Sequence, residues 1–152
     1  MAFTVTSPEF TDGNAIPSQF TCDGNDVPPP LLVSNAPEGT QSFAVIVDDP
    51  DAPRGTFTHW MAYDIPPDQN PLRTTAGRTL QNDFGRAGYG GPCPPPGHGS
   101  HRYHFTVYAL DVPTLDLPGE TRDDFEAAIT AHMLGKARMM GRYERVGARA
   151  AS

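Results

Sequence analysis

The stretch Gly88-Tyr89-Gly90-Gly91-Pro92-Cys93-Pro94-Pro95-Pro96-Gly97-His98-Gly99-Ser100-His101-Arg102-Tyr103 decides how this chain must fold. It cannot form a helix or a regular strand, because proline fixes φ and removes an N–H donor while glycine disfavours both structures. The glycines also let backbone N–H groups come close to a ligand. We therefore predict a stiff loop that shapes one wall of a binding site and ends in the polar sequence His101-Arg102-Tyr103.

A second polar segment, Asp48-Asp49-Pro50-Asp51-Ala52-Pro53, follows the apolar run at residues 43–47. Proline favours extended backbone in the residue before it, so this segment is a turn with three carboxylates in four positions. At least one carboxylate must face inward or cap the backbone. From this segment alone, aspartates that only bond to turn amides are an equally good interpretation.

Alternating and apolar runs predict a mainly β chain. We predict strands at residues 3–6, 31–33, 43–47, 57–65 and 103–110, an extended segment at 16–20 and a terminal strand at 139–146. The unbroken apolar run at 43–47 is typical of a central strand that is covered on both faces. In the run at 57–65, a period of two residues places His59 on the same face as Phe57, Met61, Tyr63 and Ile65.

One amphipathic helix is predicted in the last third of the chain. Thr121 is a suitable N-cap, and Asp124 follows three residues later, where a negative charge is stabilised by the helix dipole. Apolar residues then continue at helical spacing along one stripe, namely Phe125, Ala128, Ile129, Met133 and Leu134. Gly135 is unfavourable inside a helix, so we expect the helix to end or bend there.

The length of 152 residues suits one domain spanning the chain, with residues 147–152 as a frayed tail. A net charge of −7 disfavours binding to nucleic acid or to an anionic membrane surface through bulk charge, so a phosphate-type ligand would need a local pocket. No apolar run approaches the roughly 20 residues of a membrane span. The start of the chain also lacks the basic and apolar regions of a signal peptide, so we expect a cytoplasmic location.

The two cysteines, Cys22 and Cys93, both lie in predicted loops. They make a weak case for zinc, because a closed zinc site has four ligands and the chain has no C-x-x-C sequence. Two free thiols are the simplest interpretation in a reducing cytosol. We favour a second interpretation, in which the two loops meet at the rim of the pocket and the cysteines are neighbours, in either the thiol or the disulfide form.

Individually, the polar candidates are ambiguous. His59 alone is more typical of a core histidine than of a ligand group, His98 between two glycines is expected to be exposed, and Tyr103 fits plain core packing. The combination is more informative, because a phosphate group needs several donors that converge from different segments. His59, His101, the Tyr103 hydroxyl and the glycine-rich backbone supply such donors, and Asp49 is available to orient or charge an imidazole.

Taken together, these features resemble the phosphatidylethanolamine-binding protein family, also called Raf-kinase-inhibitor-like proteins. The resemblance covers nearly the full length and rests on the two polar segments and on four shorter elements, namely Thr21-Cys22-Asp23-Gly24, His59-Trp60, Asn82-Asp83-Phe84-Gly85 and Arg142-Tyr143-Glu144-Arg145. It implies a large antiparallel sheet packed with a smaller one, and few helices. It also implies a pocket that binds phosphorylethanolamine, phosphate or similar anions.

The resemblance further implies which residues bind the ligand. The matching positions are Asp49, Asp51, His59, Gly91, Cys93, His101 and Tyr103, and Arg102 is expected to be a structural partner. Cys93 stands where vertebrate members have a glycine whose N–H touches the phosphate, and this placement resembles bacterial and archaeal members. We therefore expect the pocket to persist with a sulfur atom nearby. The helix that partly covers the pocket in longer vertebrate members has no counterpart after Val146, so a more open site is expected.

The sequence is compatible with three classes of function. We expect non-enzymatic binding of a phospholipid head group such as phosphorylethanolamine, or of another small phosphate anion, with a regulatory effect on a protein partner. The alternative is a protein inhibitor of a protease or kinase, since the family includes such inhibitors. A metal-dependent or hydrolytic enzyme built on His59, His101 and Asp49 is least favoured, because Ser100 lies in no nucleophile motif such as G-x-S-x-G. We expect no cofactor and no bound metal.

Overall fold

The computed structural model of the chain describes residues 2–145 and is mainly β. The strands are β1 (Thr4–Thr6), β2 (Leu32–Ser34), β3 (Ser42–Asp49), β4 (Phe57–Ile65), β5 (Arg78–Thr79), β6 (His101–Leu110) and β7 (Met133–Tyr143), and the α-helix α1 spans Arg122–His132. The predicted tail at 147–152 and the last residue of the predicted strand at 139–146 lie outside the described residues. Residues 2–145 include no helix with the length and apolar character that a bilayer span requires.

The strands form two antiparallel sheets. The large sheet has the order β5-β4-β3-β6-β7, and β1 pairs with β2 in a small separate sheet. Every neighbouring pair in the large sheet is antiparallel. Within residues 2–145, this arrangement confirms the predicted fold class, a large antiparallel sheet with a smaller one and one α-helix in the C-terminal half.

Strand β3 lies at the centre of the large sheet, as its apolar sequence predicts. Residues 43–47 are buried, and they alternate between two hydrophobic clusters on opposite faces of the sheet. One cluster is covered by apolar residues from the first third of the chain, namely Val5, Phe10, Ile16, Phe20 and Leu31. The other is covered by Leu115 and by the buried stripe of α1, namely Phe125, Ala128 and Ile129. Burial on both faces explains why residues 43–47 of this strand are all apolar.

The helix begins as predicted but ends earlier. Thr121 and Asp124 form a reciprocal capping box, in which each side chain bonds to the backbone N–H of the other residue. The predicted continuation through Met133 and Leu134 is wrong, because α1 ends at His132 and both residues open β7, about 40 % exposed. Pairing with β6 over nearly its whole length outweighs the helical spacing of this apolar pair.

A β-bulge in β4 turns His59 away from the face that simple alternation predicts. Thr58 and Trp60 pair with consecutive residues of β3, which leaves His59 as the extra residue. Met61 packs on the helix side of the sheet and Trp60 on the opposite side, yet the His59 ring contacts Tyr103 in the Trp60 cluster, with ring centroids 5.3 Å apart. The bulge therefore directs this side chain to the site described below.

A second irregularity in β4 moves Ile65. Asp64 has φ of +57°, and the pairing of β3 with β4 shifts between Phe43 and Val45. Ile65 consequently packs with Phe43 on one face, whereas Tyr63 packs against the helix on the other. The predicted shared face for the odd-numbered residues of β4 is therefore wrong at both ends of the strand, although the strand itself is confirmed.

The predicted extended segment at 16–20 is also wrong over its second half. Residues Ser18–Phe20 form a turn of 3-10 helix, in which the Phe20 N–H donates to the Pro17 carbonyl and the Thr21 N–H donates to the Ser18 carbonyl. The Thr21 hydroxyl donates to the same Ser18 carbonyl at 2.8 Å. Local side-chain bonding of this kind stabilises a turn against a strand.

Candidate functional site

The end of β3 and the start of β6 meet at one recess of about 190 Å³. The two strands are antiparallel, so Asp49 at the end of β3 lies beside the first residues of β6. Strand β4 contributes His59 through its bulge, and the loops after β3 and before β6 close the sides. The recess is lined by Asp49, Ala52, Pro53, Phe57, His59, Phe84, Cys93, Pro94, Pro95, His101 and Tyr103.

A buried hydrogen bond to a carboxylate and a second histidine fix the position of His101. The His101 Nδ1–H donates to Asp49 Oδ2 at 2.6 Å, and both residues are at most 3 % exposed. The other Asp49 oxygen accepts from the Asp51 backbone N–H at 2.8 Å. On its far side, His101 Nε2 lies 2.6 Å from His98 Nδ1. Only one hydrogen fits between these two nitrogens, so when one ring donates the other accepts.

His59 lines the recess and has one ring nitrogen that carries no hydrogen. Its Nδ1 lies 2.7 Å from the Gly90 carbonyl oxygen, which can only accept, so Nδ1 carries the hydrogen. Burial lowers the pKa of His59 below its ordinary value, although the Gly90 carbonyl and the Asp49 charge oppose this shift. The ring is therefore neutral near pH 7. Its Nε2 has no hydrogen-bond partner within residues 2–145 and is left as an acceptor in the lining of the recess.

The Tyr103 hydroxyl is a free hydrogen-bonding group inside the protein. Tyr103 is fully buried in the lining of the recess, and its hydroxyl has no hydrogen-bond partner in the described part of the chain. Burial, reinforced by the nearby Asp49 carboxylate, raises the pKa of this phenol above its ordinary value, so it keeps its proton at neutral pH. Buried polar groups are normally paired, and an unpaired hydroxyl in a cavity wall indicates a place for a ligand.

The mouth of the recess is apolar and partly aromatic. Phe57 lies against both His59 and Phe84, with ring centroids 4.9 Å and 4.7 Å apart. Phe84 is 43 % exposed, which is unusual for a large apolar side chain in this protein. Pro53, Pro94 and Pro95 complete the rim. This rim suits the carbon-bearing part of a small polar ligand.

Two of the predicted ligand residues lie outside the lining. The Asp51 carboxylate accepts from the Arg102 backbone N–H and from the Arg102 guanidinium at 2.8 to 2.9 Å, which lowers the pKa of Asp51 to about 2. The Gly91 N–H donates to Asp26 Oδ1 at 2.7 Å. Arg102 is a structural partner in this arrangement, as the sequence predicts. Asp51 and Gly91 thus hold the walls of the recess rather than facing its interior.

Cys93 belongs to the lining and is joined to Cys22 by a disulfide, with Cα atoms 5.4 Å apart. The same two loops are also connected by the Cys22 N–H, which donates to the Pro92 carbonyl at 3.1 Å. The proline-rich loop is thereby anchored to the loop that follows residues Ser18–Phe20. Within residues 2–145, no group of three or more His, Cys, Asp and Glu side chains is arranged to hold a metal ion.

Comparison with known proteins places this geometry in a family. A sequence model described as phosphatidylethanolamine-binding protein matches residues 6–144, nearly all of the chain. This chain belongs to the phosphatidylethanolamine-binding protein family. The predicted resemblance is therefore confirmed.

Solved structures of family members share the fold of the chain. A phosphatidylethanolamine-binding protein homolog from Chlamydia trachomatis, CT736, has a TM-score of 0.85 and 34 % identity, and the match covers 95 % of this chain and 98 % of CT736. YbcL of E. coli, described as a member of the mammalian family, has a TM-score of 0.82 and 33 % identity over 93 % and 98 % of the two chains. A carboxypeptidase Y inhibitor, solved in complex with its proteinase, has a TM-score of 0.60 and 18 % identity over 94 % and 82 %, a likeness of fold alone.

Two curated relatives come from bacteria. A UPF0098 protein from Aquifex aeolicus is 48 % identical over 150 residues, covering 93 % of this chain and 88 % of the relative. A Mycobacterium tuberculosis protein named lipoprotein LppC is 43 % identical over 145 residues, covering 93 % of this chain and 72 % of the relative.

Sequence reasoning missed two groups in the site of this family member. His98 is exposed, as predicted, but its ring covers His101, and the three-residue spacing of the two histidines was the available signal. The contact requires loop turns at Gly97 and Gly99, which have φ of +77° and +96°. Phe84 was noticed only as part of a motif, because its position beside Phe57 depends on contacts between distant segments.

Proposed function

We propose that the protein binds a small phosphate-bearing anion in this recess, with phosphorylethanolamine, a phospholipid head group, as the model ligand. The observation that carries the proposal is the buried, unpartnered Tyr103 hydroxyl in a cavity also lined by His59 and His101. Phosphate oxygens are strong acceptors and would pair with this hydroxyl. The chain has a net charge of −7, which does not attract anions, so recognition depends on contacts inside the pocket.

The dimensions of the recess agree with a head group. A volume of about 190 Å³ suits one phosphate group with a short substituent, and the aromatic and proline rim lies where that substituent would leave the pocket. A longer chain attached to the ligand would continue past Phe84 into solvent. Occupancy of the pocket would alter the exposed loops around it, and we propose that this change regulates a protein partner.

Binding is favoured over catalysis by how the reactive groups are engaged. Both nitrogens of His101 already have partners, Asp49 and His98, and neither partner is a hydroxyl or thiol that His101 could deprotonate. The Cys93 sulfur is part of a disulfide, and Ser100 is exposed. A general base needs a nucleophile or substrate proton within hydrogen-bond reach. We therefore propose a non-enzymatic role, and the alternative of a protease or kinase inhibitor is supported by the fold of one inhibitor alone.

Titration with phosphorylethanolamine tests the proposed function. We expect the NMR signals of the His59 and His101 rings and of the Tyr103 hydroxyl region to move on binding, with saturation at one ligand per chain. The His59→Ala variant should bind at least about tenfold more weakly, because a buried acceptor that contacts the ligand is removed. His132→Ala is the matched control, since His132 is a partly exposed histidine paired with Asp111 at the C-terminal end of α1. Unchanged histidine signals at saturating ligand would contradict the proposal.

We propose the cytoplasm as the site of action, and fractionation of native cells tests it. The chain should be recovered with cytoplasmic marker proteins. Recovery with the membrane or with exported proteins would contradict this location. It would then agree with the Cys22–Cys93 disulfide, a bond more common in oxidising compartments, and with the lipoprotein name of the mycobacterial relative.

A further inference from the structure

Some polar groups in the recess already have hydrogen-bond partners in the protein, and others have none. Both Asp49 oxygens already accept hydrogen bonds, from His101 and from the Asp51 backbone. Two groups have no partner in the described chain, the Tyr103 hydroxyl, which can donate, and His59 Nε2, which can only accept. Among residues 2–145, no lysine or arginine lines the recess. A ligand that satisfies both free groups must offer one acceptor and one donor.

We infer that the pocket selects a phosphate group that still carries one proton, as in inorganic phosphate or a phosphate monoester, over oxyanions that carry none, such as sulfate and phosphodiesters. This inference rests on the proposed function and specifies the chemistry of its ligand. The P–OH group would donate to His59 Nε2, and an ionised oxygen of the same phosphate would accept from the Tyr103 hydroxyl. Sulfate and a phosphodiester have only acceptors to offer at neutral pH.

An anion that carries no proton should bind more weakly because His59 is buried. His59 is 3 % exposed, so an anion without a proton would place an oxygen lone pair against the Nε2 lone pair, away from bulk water. A buried hydrogen-bonding group left unpaired typically weakens an interaction by about tenfold or more. A free head group such as phosphorylethanolamine, a monoester, should therefore bind better than the intact phospholipid, in which the phosphate is a diester.

Burial keeps His59 an acceptor against the charged and titratable groups around it. They come from β3, from β6 and from the loop after β5, namely Asp48, Asp49, His101, Tyr103 and Asp83. The carboxylates among them favour a protonated ring, but burial outweighs them and lowers the pKa of His59. The ring would therefore offer a second N–H, and bind sulfate through it, only at a pH below the ordinary histidine pKa.

A comparison of three anions tests the inference on the wild-type protein. We would measure dissociation constants of methyl phosphate, dimethyl phosphate and sulfate between pH 6 and pH 8 by calorimetry or NMR titration. Methyl and dimethyl phosphate differ by one methyl group, and only the monoester can carry a proton. At pH 6 the monoester should bind about tenfold or more tightly than either proton-free anion.

The pH dependence gives the second readout. The second pKa of a phosphate monoester is about 6, so above it the protonated fraction falls about tenfold per pH unit. The ratio of monoester affinity to sulfate affinity should fall in step, and the ratio removes any common effect of protein titration. Equal affinities for monoester and sulfate, or a monoester affinity that rises with pH, would overturn the inference while leaving anion binding intact. Failure of all three anions to bind would overturn the proposed function as well.

Two variants test the Tyr103 hydroxyl and His59 Nε2 separately. Tyr103→Phe removes the donor and should weaken all three anions by a similar factor, so the monoester preference persists. His59→Gln replaces the acceptor by an amide that can also donate, and the preference over sulfate should fall towards one. Phosphorylethanolamine and vesicles of phosphatidylethanolamine then distinguish a free head group from a lipid surface, and tighter binding to vesicles would contradict the inference.

Discussion

Replacing both Asp49 and His101 by alanine should destabilise the protein by clearly less than the sum of the two single replacements. Each single variant leaves the other group buried without its partner, which is strongly unfavourable, whereas the double variant removes both. We expect a coupling energy of about 2–3 kcal/mol in the free energy of unfolding. Urea denaturation of the four proteins measures it. Asp49→Ala removes the hydrogen bond from the Asp51 backbone N–H both in the wild-type protein and in the His101→Ala variant. The contribution of this bond therefore cancels from the coupling energy.

The neighbouring pair Asp51 and Arg102 provides a matched control. Asp51 follows Asp49 by two residues and Arg102 follows His101 by one, so the pair joins the same two segments. The Arg102 side chain, however, is 51 % exposed. Exposed ion pairs typically contribute about 0.2–1 kcal/mol, so its coupling energy should be clearly smaller. If the two cycles give equal coupling, the buried Asp49–His101 contact would not have the structural role described above.

The same cycle also bears on ligand binding. His101 is held between Asp49 and His98, so loss of the carboxylate frees the ring to rotate. We therefore expect Asp49→Ala to weaken phosphorylethanolamine binding even at temperatures where the variant is fully folded. Asp51→Ala removes no side chain that lines the recess and keeps the backbone N–H that bonds to Asp49, so it should retain binding within about threefold, the scale of a modest polar contact.

The elements that the sequence predicted best are those with a local cause. The apolar run at 43–47 forms the central strand because it must be buried on both faces, and the Thr121–Asp124 capping box starts α1 within a few residues. Strand β7 was placed too late because Met133 and Leu134 continue the spacing of the helix. The strand conformation of this segment is imposed by pairing with the end of β6, where Leu110 lies opposite Met133.

The site shows the same division between local and distant causes. The motif residues Asp49, His59, His101 and Tyr103 share one recess, which agrees with the prediction that two distant turns converge. The bulge that aims His59 and the contact of Asp51 with Arg102 depend on the pairing of β3 with its neighbours, and no short sequence pattern encodes them. Exposure of His98 followed from its glycine neighbours, whereas its contact with His101 required the path of the whole loop.

Reduction of the Cys22–Cys93 disulfide should lower the free energy of unfolding by about 2–4 kcal/mol. The two cysteines are 71 residues apart, so the bond closes a long loop and restricts the unfolded chain. Denaturation of the wild-type protein with and without reductant measures the difference at constant sequence. The Cys22→Ala/Cys93→Ala double variant is the control. It should match the reduced protein, and it should not respond to reductant because the chain has no other cysteine.

Ligand affinity should change much less than stability when this bond is broken. The loop that carries Cys93 remains attached through the Gly91 N–H bond to Asp26 and through the Cys22 N–H bond to Pro92, so the folded form of the reduced protein keeps the shape of the recess. Most of the lost stability comes from the unfolded state, which does not bind ligand. We therefore expect phosphorylethanolamine to bind reduced, folded protein within about threefold of the oxidised form. A loss of binding without a loss of stability would instead mean that the disulfide holds the pocket open directly.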